Sequence, residues 1–185
     1  MTDYFDPNDP RYESFARRAT RPPRSKADRE AEAIRGKANE RFIAAQLANW
    51  LTETTGTTVT YEENPDPFAT VDGWLIWNGS RRRLLEAKAR TAMKVPDGYY
   101  RVEVQKMHAL QREGREQGLV SLLAYGFDDR IEVLRLFPTA ESDAKVAQLA
   151  RAAFSERDEA YLVPFAEWIT LDLCGWVVDP NPFTR

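Results

Sequence analysis

The chain reads as an α/β protein of the α+β kind, with elements in the order α-β-β-β-α-β-β followed by a helical C-terminal extension. Three observations predict this. Apolar residues recur at helical spacing through residues 28–51, two apolar runs flank the turn signal Asn78-Gly79, and a second helical pattern over residues 102–117 precedes two more short apolar runs. At 185 residues, 43% of them hydrophobic, the chain suffices for one domain with a sizeable core.

Taking the elements in order, residues 1–27 read as a basic, Pro-rich arm. Pro7, Pro10, Pro22 and Pro23 break any long helix there. Tyr4, Phe5, Tyr12 and Phe15 suit docking, and Arg17, Arg18, Arg21 and Arg24 suit phosphate contacts; a disordered, solubilising tail is the alternative. The first helix, residues 28–51, sets Ile43, Leu47 and Trp50 on one face. Extending that stripe backward reaches Glu40, which is thus expected to point inward, and Gly36, which fits close helix packing. Pairing of Glu40 with Arg41 or Lys37 is the plainer reading.

A first strand is expected at residues 57–62 and a second at 70–77, where Asp72 and Gly73 interrupt an apolar run. The Asn78-Gly79 turn leads into a third strand at residues 84–89. Side chains alternate along a strand, with about 6.6 Å between same-face neighbours, so Glu86 and Lys88 share one face while Leu85, Ala87 and Ala89 take the other. Asp72, on the partner strand, reaches the same cleft. Two hard carboxylate oxygens, waters and a backbone carbonyl there match the oxygen shell that Mg²⁺ prefers. A solvated strand face is the alternative, but a charged pair in an apolar run is costly unless it is paired or binds metal.

Residues 90–100, with Pro96, Asp97 and Gly98, read as a loop, and residues 102–117 as a helix. Val104, Met107 and Leu110 bury one side of it, while Arg101, Gln105, His108 and Arg112 form a polar face suited to DNA. His108 reads as a helix-boundary residue without a catalytic role. Strands at 120–125 and 131–137 surround a turn at Asp128-Asp129, and a helix is expected over 139–154 with Thr139 as N-cap and Glu141 and Asp143 near its positive end. Residues 161–164 and 168–178 are left as short strands or loop.

A single cysteine, Cys174, excludes an intramolecular disulfide and reads as a core residue. With one histidine there is no ligand set for structural zinc. No apolar run is long enough to span a bilayer and none reads as a signal peptide, so a cytoplasmic or nucleoid-associated protein without membrane contact is expected. The net charge of −3 divides unevenly. Residues 81–115 hold ten Lys/Arg against four Asp/Glu and residues 11–29 seven against two, whereas residues 127–185 hold six against eleven. A local basic surface is all that phosphate binding requires.

Gly36-Lys37-Ala38-Asn39-Glu40-Arg41, the Asp72 strand, Glu86-Ala87-Lys88, and Tyr100 with Gln105 together resemble the PD-(D/E)xK nuclease superfamily, most closely the archaeal-type Holliday junction resolvases. The likeness spans residues 36–137. It implies a restriction-endonuclease-like core, a mixed central sheet flanked by helices, within one domain at 28–185 and an extension at 138–185. It implies a metal held by Glu40, Asp72, Glu86 and the Ala87 backbone carbonyl, assistance by Lys88, and a helix glutamine at Gln105. The cofactor implied is Mg²⁺, with Mn²⁺ as substitute, and the partner is branched DNA, a four-way junction cut by a homodimer. Arg81, Arg82, Arg83, Arg90, Lys94, Arg101, Lys106 and Arg112 are the candidate DNA contacts. The chain departs from the pattern in having Val71 before Asp72; Pro65-Asp66 lies upstream in what reads as a loop. The extension has no counterpart in the compact resolvases. Another nuclease of the superfamily, or a non-catalytic DNA-binding module on the same fold, stands as the alternative.

Overall fold

Among the described residues the strands form two sheets. The computed structural model describes residues 25–66, 69–90, 98–127, 129–153 and 159–172. Cα proximity groups the chain into two units, Met1–Ile34 and Arg35–Arg185. The described part of the first holds the opening turns of helix α1 (Lys26–Thr55). They start on a reciprocal cap: the Asp28 N–H donates to Ser25 Oγ, and the Asp28 carboxylate accepts from the Ser25 N–H, both at 3.1 Å. Two otherwise orphaned amides are satisfied in this way.

In the second unit, α1 turns Ile43, Ala44, Leu47 and Ala48 into the core. It is followed by an antiparallel meander of β1 (Val59–Glu63), β2 (Gly73–Trp77) and β3 (Ser80–Ala89). Asn78 and Gly79 both adopt positive φ, 48° and 78°, as a two-residue hairpin turn requires. After β4 (Tyr99–Glu103), helix α2 (Val104–Gln117) crosses over so that β5 (Val120–Gly126) lies parallel to β3. Then come β6 (Arg130–Leu136), α3 (Ala140–Ala147), β7 (Ala150–Ala153), β8 (Glu159–Pro164), a 3-10 turn at Phe165–Glu167 and β9 (Trp168–Asp172).

The main sheet runs β1-β2-β3-β5-β6-β9, mixed because β3 and β5 are parallel, and a second sheet runs β4-β8-β7. Alternation along the strands builds two cores. Leu75, Leu85, Ala87, Leu122 and Ile131 pack with Ile43 and Leu47 of α1. Trp74, Leu84, Leu123 and Leu134 pack on the other face with Met107 and Leu110 of α2 and with Tyr100, Val102, Tyr161 and Val163 of the second sheet. The protein is thus α+β, with a mixed central sheet flanked by helices. No helix among the described residues is long and apolar enough to cross a membrane.

Several expectations need correction. Tyr99–Glu103 is strand, so Val102 does not begin the helix; its side chain and that of Tyr100 are buried beneath the β8 pairing. The C-terminal extension is not mainly helical. Thr139 does cap α3, accepting from the Ser142 N–H at 3.2 Å, but the helix stops at Ala147 and Ala150–Ala153 pairs with β8 instead. The alanine-rich stretch favours helix intrinsically, and tertiary pairing overrides that weak preference. Gly36 serves no close packing: a Cβ there would meet nothing within 4 Å. Asp72 lies one residue before β2 rather than within it. The proposals for Tyr4, Phe5, Tyr12, Phe15, Arg17, Arg18, Arg21, Arg24, Lys94, Pro96, Asp97, Asp128 and Cys174 fall outside the described residues.

Candidate active site

Asp72 sits where β2 has not yet begun and β3 still continues. Its N–H donates to the Leu85 carbonyl at 2.9 Å, and its carbonyl accepts from the Asn64 N–H at 2.7 Å and the Tyr61 hydroxyl at 2.8 Å. One step further the backbone leaves the ladder, and the Ala87 N–H would lose its partner in the middle of the sheet. The Asp72 side chain fills that gap, Oδ2 accepting from the Ala87 N–H at 2.8 Å. An unpaired buried amide is expensive, so this bond fixes the carboxylate between the two faces of the sheet. Gly73 follows because a Cβ there would strike the Glu62 carbonyl and the Tyr61 ring.

On the α2 face stand Glu86 and Lys88, as strand alternation requires, with Lys88 Nζ 3.8 Å from Glu86 Oε1. Glu86 is buried. Lys106 from α2 comes to 2.8 Å from its Oε1 and also donates to the Thr70 carbonyl at 3.1 Å. Burial, and then the neighbouring Asp72 charge, push the Glu86 carboxyl above the ordinary carboxylate range in spite of Lys106 and Lys88. Glu103, at the end of β4, lies 4.0 Å from Lys88.

On the α1 face, Lys37 Nζ stands 3.3 Å from Asp72 Oδ1 and 3.3 Å from Glu40 Oε2, with Glu63 at 4.0 Å. Arg41 holds Glu63 at 2.9 Å. Burial and then Asp72 raise the Glu40 carboxyl, with Lys37 opposing. Burial alone lowers Lys37, but Asp72 and Glu40 outweigh it and the net direction is up. Glu40 does pair with Lys37, as its plainer reading has it, and does so beside Asp72.

The donor set is hard oxygen throughout, the kind that suits Mg²⁺ or Mn²⁺. Among the described residues no three acidic, histidine or cysteine side chains converge as a ready cage. Two carboxylates fit an ion of this type, which keeps several waters and takes further oxygens from phosphate. Glu40 and Asp72 are one such pair, Asp72 and Glu86 the other.

The other candidates scatter. Gln105 is exposed at the start of α2, and among the described residues no hydrogen bond joins it to Asp72, Glu86 or Lys88; its neighbour Lys106 reaches Glu86 instead. Lys106 is thereby committed to a carboxylate rather than offered to DNA. Arg81 is held by Glu62 and lies 3.9 Å from the Trp74 ring, and Arg83 lies 5.3 Å from the Trp77 ring. Three and five residues separate Arg83 and Arg81 from Glu86, about 10 and 17 Å along an extended strand. With Arg82 they belong to the far end of the hairpin, where Arg82 and Arg83 line a cleft together with Thr57, Trp77, Asn78 and Ser80. Arg90 lies over the Tyr125 ring at 4.6 Å, Arg101 is half-buried in β4, and Arg112 is exposed on α2.

Glu63, the anchoring role of Tyr61 and the contact of Lys37 with Asp72 escape a sequence reading of site residues, which pairs Lys37 with Glu40 alone. Lys37 had a signal, its spacing of three from Glu40 on one helix. Glu63 had none, since only the β1–β2 register sets it opposite Gly73. Comparison with family models, curated proteins and solved structures finds no match for the chain in any of the three.

Proposed function

We propose that the protein is a divalent-metal-dependent DNA endonuclease that hydrolyses phosphodiester bonds, most specifically a Holliday junction resolvase. The observation that carries this reading is the meeting of Asp72, Glu86 and Lys88 where β2 begins, with Glu40 beside Asp72. Asp72, paired either with Glu86 and the Ala87 carbonyl or with Glu40, would hold Mg²⁺ or Mn²⁺, which when bound supplies charge neutralisation at the phosphate and acidifies the attacking water. The chain's own groups do the positioning. Tyr61 and the Ala87 N–H hold Asp72 in orientation. Lys106 sets its ammonium against the buried Glu86 and so opposes the burial and the Asp72 charge that favour the protonated form. Lys88, about one quarter exposed, offers an ammonium to a phosphoryl oxygen that gains charge during hydrolysis.

The test is cleavage of a labelled four-way junction, linear duplex, flap and single strand in Mg²⁺ and in EDTA. Metal-dependent paired nicks in the junction, lost in Asp72→Asn, are expected. Binding without cleavage of any substrate would point to a non-catalytic module. One feature favours a second reading, another nuclease of the same superfamily. Strands β7 and β8, from the extension at 138–185 for which the resemblance offers no counterpart, complete a sheet with β4, which carries Glu103 beside Lys88. Faster cutting of flaps or ends than of junctions would select it.

A further inference from the structure

Lys37 differs from the other two lysines of the cluster in what it touches. Lys106 is tied to a backbone carbonyl as well as to Glu86, and Lys88 lies at the rim between Glu86 and Glu103. Lys37 meets carboxylates alone among the described residues: Asp72 and Glu40 at 3.3 Å each and Glu63 at 4.0 Å. Its side chain is 37% exposed and reaches the site on a flexible four-carbon stem from α1. Arg41 already serves Glu63, so the charge that Lys37 chiefly neutralises is that of Glu40 and Asp72.

We propose that the Lys37 ammonium occupies the place of a divalent cation between Glu40 and Asp72 in the metal-free protein, and that metal loading expels it toward solvent. This rests on reading Glu40 and Asp72 as metal ligands. Two carboxylates so close need a counter-ion in order to stay ionised together, and Lys37 supplies one whenever metal is absent. The same ammonium must be displaced before an ion binds, so it weakens metal affinity while stabilising the metal-free fold. Its helix position lets it leave without disturbing the Tyr61 and Ala87 bonds that orient Asp72.

The experiment uses the full chain stripped of metal and titrated with Mn²⁺ by calorimetry, with thermal melts in EDTA. Lys37→Met is expected to melt below wild type in EDTA yet to bind Mn²⁺ about two- to fivefold tighter, as removal of a partly exposed competing ion pair implies. A second measurement needs no variant: amine acylation read by mass spectrometry. Mn²⁺ is expected to raise modification of Lys37 several-fold and to leave Lys106, with its backbone anchor, unchanged. If Asp72→Asn abolishes Mn²⁺ binding but Lys37→Met binds no tighter and Lys37 labelling does not rise, the displacement is wrong while the metal site stands. If wild type and Lys37→Met both fail to bind Mn²⁺, both ideas fall.

Discussion

Asp72 is a structural residue and, under the proposed reading, a chemical one, because the carboxylate that completes the β3 ladder at Ala87 is also the one that neighbours Glu40 and Glu86. Replacing it with Asn keeps an oxygen able to accept from the Ala87 N–H, so the fold should survive while the charge is lost. Cleavage is expected to drop at least about a hundredfold, more than outer-shell changes around a metal cost. DNA affinity should change little, since Lys and Arg contacts to phosphate carry most of it. Parallel cleavage and filter-binding assays check both halves, and retained cleavage would remove Asp72 from the site. Glu86 carries a pH signature. Its folded-state carboxyl titrates above the ordinary value of 4.5, first because of burial and then because of Asp72, so the folded protein holds that proton more tightly than the unfolded chain. As pH rises above 4.5 and through the folded value, stability is lost relative to a protein without this charge; below 4.5 both states are protonated and the difference disappears. Metal-free Glu86→Gln should therefore melt above wild type at neutral pH and lose that advantage in acid. Melting curves in EDTA across that range would show a flat difference if burial of the charge were unimportant.

Two glycines test how the elements were built. Gly73→Ala pushes a Cβ into the Glu62 carbonyl and Tyr61 ring of β1, an overpacking that costs about 1–3 kcal/mol and also disturbs Asp72 next to it. Gly36→Ala meets no neighbour and replaces the poorest non-proline helix former, so it should stabilise α1 by about 0.5–1 kcal/mol. Urea melts of both should shift in opposite directions; a loss at Gly36 would restore the close packing that its place on the stripe first suggested. These elements were largely legible where the pattern was local. The α1 stripe, the Asn78-Gly79 turn with positive φ at both residues, and the Thr139 cap are each written in a few neighbouring residues. β4 and β7 were not, and β8 was legible only as a short strand or loop at 161–164. Their partners are distant in sequence, and the Ala150–Ala153 pairing with β8 reverses what local propensity favours. The site divided along the same line: Glu86 with Lys88 follows from alternation on one strand, whereas Lys106 on Glu86 and Glu63 near Lys37 depend on how α2 and β1 pack.

At the scale of the whole molecule, an acidic protein that binds DNA, as proposed, would meet it through local charge, and the described contacts sort its cations. Arg81 is spent on Glu62 and Trp74, and Lys106 on Glu86 and the Thr70 carbonyl, while Arg112 is exposed on α2, the helix that also carries Lys106. Arg112→Ala should flatten the dependence of log affinity on log salt by about 0.9 for one lost phosphate contact, and Arg81→Ala should leave it nearly unchanged. Binding isotherms at several salt concentrations distinguish them, and equal effects would mean that the hairpin tip touches DNA too. Under the nuclease reading, a single cluster of Asp72, Glu86 and Lys88 would serve one scissile phosphate at a time. A four-way junction needs two symmetric cuts before branched DNA is resolved, and a closed pair of identical subunits supplies two such clusters related by a two-fold axis. Under the resolvase reading the protein is therefore expected to be a homodimer at assay concentration and to nick both strands of the pair within one binding event. Light scattering gives the first result, and a supercoiled cruciform plasmid gives the second, since paired cuts yield linear product directly while independent cuts accumulate nicked circles. A monomer that leaves nicked circles would keep the metal chemistry of Asp72 and Glu86 and move the substrate to flaps or ends.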